Sequence, residues 1–166
     1  MGVFQPDERH GRSHGWDGIA QGSKVGGKAV TIHSLDHACT ALSAARELNV
    51  PVTLVSAPGA AAYAGVGWFR ALTDEAHTQY PDVSMTPILD CASAAGDALA
   101  AIREGLQVIR FSGKRDVKAK VMDIARQSGV SVVTRRAPSL DLGDVDSTVA
   151  DLTGACRDWL SPKSSA

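Results

Sequence analysis

The chain has 166 residues, 44% hydrophobic and 21% charged, the balance of one globular domain able to bury a core. A net charge of -1 gives no general attraction to nucleic acid or to an anionic membrane, and no apolar run reaches the roughly 18 residues needed to cross a bilayer. Polar residues at the start argue against a signal peptide, and Pro6 stands where a myristoylation signal needs Ser or Thr.

Cys39, Cys91 and Cys156 are odd in number, widely spaced and without a CxxC. That pattern disfavours a disulfide framework or a structural zinc site, so a cytoplasmic protein is expected.

Residues 1–27 are rich in glycine and charge and poor in aliphatics, which predicts a flexible N-terminal arm ahead of a single α/β domain over 28–160 and a frayed end over 161–166. From Lys28 a regular alternation begins. The β-branched run "KAVTIHS" predicts a strand, and Leu35, Ala38, Cys39, Leu42, Ala45 and Leu48 then fall at helical spacing. Asn49 suits the residue after a helix and Pro51 cannot continue one, so "VPVTLVS" starts the second strand.

"GAAAYAGVGWFRALTDEAHTQYP" reads as a helix loosened near Gly65 and Gly67, and "VSMTPILD" as a third strand in which Pro87 implies an edge position or a bulge. "SAAGDALAAIREG" and "KRDVKAKVMDIARQSG" are helices stopped by Gly105 and Gly129. Between and after them, "LQVIRFS" and "VSVVTR" are the fourth and fifth strands. "RAPSLDLGD" reads as a loop, and "STVADLTGACRDWL" as a last amphipathic helix.

This alternation predicts a mostly parallel five-stranded sheet with helices on both faces, a flavodoxin-like or Rossmann-like three-layer sandwich. Five strands are too few for a closed eight-stranded barrel. In open sheets of this kind, ligands bind beyond the carboxyl ends of the strands. Five segments populate that rim: His33 to His37, Ser56 to Gly59, Asp90 to Ser93, Ser112 to Arg115, and Arg135–Arg136.

"SGKRD" puts Ser112, Gly113, Lys114 and Arg115 at a helix start, where free N–H groups and the helix dipole favour an anion; solvated basic residues are the plain alternative. It is not a Walker loop, and Gly59, Gly65 and Gly67 have the wrong spacing for the dinucleotide fingerprint. Ser56 and Gly59 make a second helix start. Asp90 reads as a helix cap or a general base, Cys91 as a buried small residue or a nucleophile, and His33 as a proton-transfer group. Ser34 and Arg135 complete the candidate ligand contacts, with no metal expected and no cofactor named by the sequence.

The unit "ILDCASAAGDALAAIREGLQVIRFSG" resembles a βα repeat of the 2-keto-3-deoxy-6-phosphogluconate aldolases and related phosphate-binding barrels. The resemblance implies a phosphate loop after the strand ending in Phe111. It places those enzymes' imine-forming lysine near Arg110, which cannot form an imine. The alternation is also similar to that of receiver domains, with Asp90 and Ser112 at the phosphoacceptor and hydroxyl positions. However, "IHS" lacks their paired acids and Arg135 stands where a lysine is expected.

The residues together point to a site at the strand ends for a small anionic or phosphorylated metabolite. The competing expectation is a non-catalytic regulatory or assembly module acting through homo-oligomer or partner contacts, with the helix from Ala60 to Leu72 and its Tyr63, Trp68 and Phe69 as the contact.

Overall fold

The computed structural model describes residues 25–145 and 148–162. The arm expected over 1–27 lies outside the described residues except for its last three, and the expected frayed end is described only at Ser161 and Pro162.

The strands are β1 (Lys28–Ile32), β2 (Val52–Ser56), β3 (Met85–Asp90), β4 (Val108–Arg110), β5 (Ser131–Val133) and β6 (Ser139–Asp141). The helices are α1 (Leu35–Leu48), α2 (Ala60–Tyr63), α3 (Val66–Gln79), α4 (Ala95–Arg103), α5 (Arg115–Gln127) and α6 (Val149–Leu160).

Local chemistry sets most of these boundaries. Ser34 caps α1 by accepting from the His37 N–H, and Asn49 ends the helix in the left-handed conformation at φ 51°. The helix expected over 59–81 is two helices, because Gly65 adopts φ 92° and ψ 151°, a conformation that only glycine holds without strain. Among the described residues, no helix is long and apolar enough to cross a membrane.

The α/β class and the parallel sheet stand as read, with six strands among the described residues instead of five. Every described strand pair is parallel, and the order is β5-β4-β3-β2-β1-β6. The sixth strand sits inside the segment expected to be a loop, because three residues, Ser-Leu-Asp, are too few to show a period. Pro87 is in an interior strand, yet β4 pairs with β3 only at Leu89 and Asp90, so at Pro87 that side of β3 is locally an edge.

Strand order decides where the helices go. Consecutive strands are neighbours from β1 to β5, and right-handed crossovers in one direction put their helices on one face. The packing agrees. Buried residues from all six helices form one cluster with Val30, Ile32, Leu54, Leu89 and Ile109, while Ala29, Val55, Ile88 and Val108 form a second cluster to which no helix contributes. Helices on both faces, as in a flavodoxin-like or Rossmann-like order, are therefore replaced by a consecutive order with helices outside, the arrangement found in β/α barrels.

The sheet also curls. A flat sheet would put β5 and β6 about 24 Å apart, five spacings of about 4.8 Å. The link between Val133 and Ser139 holds only residues 134–138, which span at most about 21 Å. The chain can pass from one edge to the other only if the sheet bends around its helix-free face.

The start of β1 is anchored. The Lys28 ammonium donates to the carbonyls of Trp159 (2.7 Å) and Ser161 (2.6 Å) at the end of α6, where the helix dipole favours a cation. The Trp159 indole N–H donates to the Ala29 carbonyl at 2.8 Å. Gly27 has φ +83°, and a Cβ there would fall 2.1 Å from the Pro51 carbonyl oxygen.

Gly65→Ala should cost roughly 1–3 kcal/mol from backbone strain alone, since a Cβ there meets nothing within 4 Å. Gly27→Ala should cost more, because strain and collision add. Urea denaturation of the two variants checks the order.

Candidate functional site

At the carboxyl end of β3 the Asp90 side chain is fully buried, which a carboxylate tolerates only when its acceptors are filled. They are. Oδ1 accepts from the N–H groups of Ala92 (2.8 Å) and Gly59 (3.2 Å) and from Arg110 Nη1 (3.1 Å). Oδ2 accepts from Arg110 Nη1 and Arg136 Nη1, both at 2.9 Å. A carboxylate held this way has no lone pair free to remove a substrate proton.

Arg110 ends β4, and Arg136 lies in the link between β5 and β6. The second Arg136 nitrogen, Nη2, donates to Thr31 Oγ1 (3.1 Å) and to the Ser56 carbonyl (3.4 Å). One guanidinium therefore ties the ends of β1, β2 and β3 to the segment that crosses the sheet. Thr31 Oγ1 also shares a hydrogen bond of 2.8 Å with Ser139 Oγ on β6.

A second polar pair stands at the same rim. His33 Nε2 lies 2.6 Å from Asp141 Oδ1, which also accepts from the Gly143 N–H at 2.9 Å. Burial alone would raise the Asp141 carboxyl. The hydrogen bonds from His33 and Gly143, with the charges of His33 and Arg136, outweigh it and hold the group below its ordinary value. His37 packs edge-on to His33 at 5.8 Å and accepts from the His33 N–H, and burial, then the His33 charge, lowers its pKa.

The other residues singled out by the sequence have structural employment or lie apart. Cys91 is buried, and burial, with the charges of Asp97 and Asp90, pushes its thiol up to about 12. Such a thiol stays protonated, and Ala95, not Cys91, opens α4.

Ser34 caps α1. Ser56 is buried and accepts from the Asp90 N–H at 2.9 Å. Gly59, at φ 67°, turns its N–H to Asp90. The N–H and hydroxyl of Ser112 both donate to the Ala92 carbonyl, and Gly113 lies against the Phe111 ring. Lys114 and Arg115 are exposed at the start of α5. Of the aromatic trio, Phe69 is in the core while Tyr63 and Trp68 are on the surface.

A cavity of about 200 Å³ opens on the helix-free face. Arg110, Arg135 and Arg136 line it together with Ala29, Val55, Ile88 and Val133, whereas Lys114 and Arg115 do not. Arg135 is exposed and, among the described residues, has no ion-pair partner. Among the described residues no group of three or more His, Cys, Asp or Glu is placed to hold a metal ion.

Sequence reasoning named Asp90, His33 and Arg135 but not the partners that define their roles. Arg110 had a usable signal, a charge inside the otherwise apolar run "VIRF". Arg136 was placed on the rim but not beside Asp90, and Thr31 and Asp141 had no signal.

The chain is similar to fructose-bisphosphate aldolases. It is 27% identical over 118 residues to the plasmid-encoded fructose-bisphosphate aldolase of Cupriavidus necator, a match covering 63% of this chain and 34% of that one. In structure it resembles a candidate fructose-1,6-biphosphate aldolase from Coccidioides immitis, with a TM-score of 0.55 and 17% identity over 65% of this chain and 45% of that one. The second likeness speaks for the fold alone. The chain spans about a third of the length of the curated relative it matches. No family model matches it.

Two outcomes follow from this geometry. Asp90→Asn should destabilise the fold by about 3–5 kcal/mol, since it leaves two guanidiniums without their shared carboxylate; urea titration measures it. Because the Asp141 pKa is lowered on folding, its contribution is complete above the ordinary value of 3.8 and is lost as pH falls through the lower folded value. The Asp141→Asn variant should therefore lose less stability than wild type over that acid range, as read from melting temperature against pH.

Proposed function

We propose that this chain binds a small anionic metabolite, a phosphorylated one, at the arginine cluster on the carboxyl-end rim of its sheet. The charge balance there carries the reading. Arg110, Arg135 and Arg136 line one cavity, and Arg110 and Arg136 share the single carboxylate of Asp90. Asp141, an acid that also feels the charge of Arg136, is already engaged by His33 and Gly143. Surplus guanidinium charge and planar N–H donors suit a phosphate, which they can grip in two places at once.

The similarity to an aldolase named for a phosphorylated sugar supports the same reading. His33, half-exposed and oriented by Asp141, is the proton-transferring group in this reading, and the exposed start of α5, with Lys114 and Arg115, is its outer anion contact. Three free cysteines, two buried and one half-buried, suit a reducing compartment such as the cytoplasm.

Calorimetric titration with inorganic phosphate and with fructose 1,6-bisphosphate tests the proposal. Saturable binding of at least one is expected, weakened about tenfold or more by Arg135→Ala, a loss of the size expected for a charged hydrogen bond. An unchanged melting temperature will show that the variant folds. No saturable binding of either ligand overturns the reading.

A further inference from the structure

We infer that the anion site continues into the apolar cavity of the helix-free face, and that its ligand is a phosphate ester or anhydride of a short aliphatic chain. This rests on the anion reading above and adds the chemistry of the uncharged part. The cavity of about 200 Å³ is lined by three arginines and by the apolar side chains of Ala29, Val55, Ile88 and Val133.

Arg110 supplies the first observation. Its Nη1 is committed to Asp90, but its Nε is buried with no hydrogen-bond partner among the described residues. A buried donor left unpaired is costly, and proteins rarely leave one so without a reason. Arg110 lines the cavity, so a small shift of its guanidinium lets Nε donate to a phosphate oxygen seated there while Arg135 and Arg136 hold the remaining oxygens.

The wall chemistry supplies the second. Among the described residues no helix contributes to the cluster on this face, yet Ala29, Val55 and Ile88 are 4%, 7% and 5% exposed. Among the described residues lining the cavity, Thr53 carries the one side-chain hydroxyl, and it already donates to the Gly26 carbonyl at 2.8 Å. A polyhydroxylated body would give up water there without replacement. An aliphatic body gains about fourfold in affinity for each methylene it buries.

The test is calorimetric titration of the full chain with inorganic, methyl and butyl phosphate, repeated on Val133→Phe, which narrows the cavity from a half-buried edge strand and leaves the arginines intact. Butyl phosphate should bind at least about tenfold tighter than methyl phosphate. Val133→Phe should erase that preference while inorganic phosphate binds as before. Should Val133→Phe melt early, Ala137→Leu, on the exposed link, narrows the same cavity and should erase the same preference. Equal binding of methyl and butyl phosphate, or a butyl preference that survives both variants, overturns this inference and leaves the anion reading standing. Failure of all three phosphates to bind overturns this inference, and failure of fructose 1,6-bisphosphate as well overturns the anion reading.

Discussion

The buried carboxylate of Asp90 is the constraint on which the architecture turns. Stripped of water, it is tolerable only if other groups supply what water would have supplied. Those groups come from four places: the turn after β2 at Gly59, the turn after β3 at Ala92, the end of β4 at Arg110, and the β5–β6 link at Arg136. Arg136 then reaches on to Thr31 and Ser56. The result is one ionic knot joining the carboxyl ends of four strands and pinning the link across the concave face. Curl and knot support each other, because the short link can reach Asp90 only when the sheet bends.

The same knot separates holding from binding. Asp90, placed where a parallel sheet usually keeps a catalytic group, is used up in holding arginines. Its charge orients Arg110 and Arg136 without neutralising the cluster, and Arg135 adds to the surplus. The polar chemistry still open at the rim is on the other side, where His33 and Asp141 meet and feel the field of Arg136. The apolar face below is buried although no described helix contributes to its cluster.

Much of the local structure was legible because its signals are local. Ser34, Asn49 and Pro51 mark the two ends of α1 and the entry to β2, each by a conformational preference that acts within a turn. Gly65 signalled a loosening and proved to be a full break. The rim segments lie where strands stop, as the alternation implied. β6 was illegible, since three residues carry no period and its partner β1 is about a hundred residues away. Asp90 and Cys91 were legible as positions but not as environments: burial raises the thiol and saturation occupies the carboxylate, and neither can be read along the chain.

By itself the sequence determined the alternation of strand and helix, the parallel sense of the sheet and the edge at which polar residues gather. These follow from hydrophobic period, caps and turn residues, which act over a few neighbours. The tertiary structure alone decided the strand order, the gathering of helices on one face and the pairing of charges. Asp90 meets Arg110 across 20 positions and Arg136 across 46, and His33 meets Asp141 across 108. Such pairings depend on which strands become neighbours and how far the sheet bends, quantities set by packing the whole chain at once.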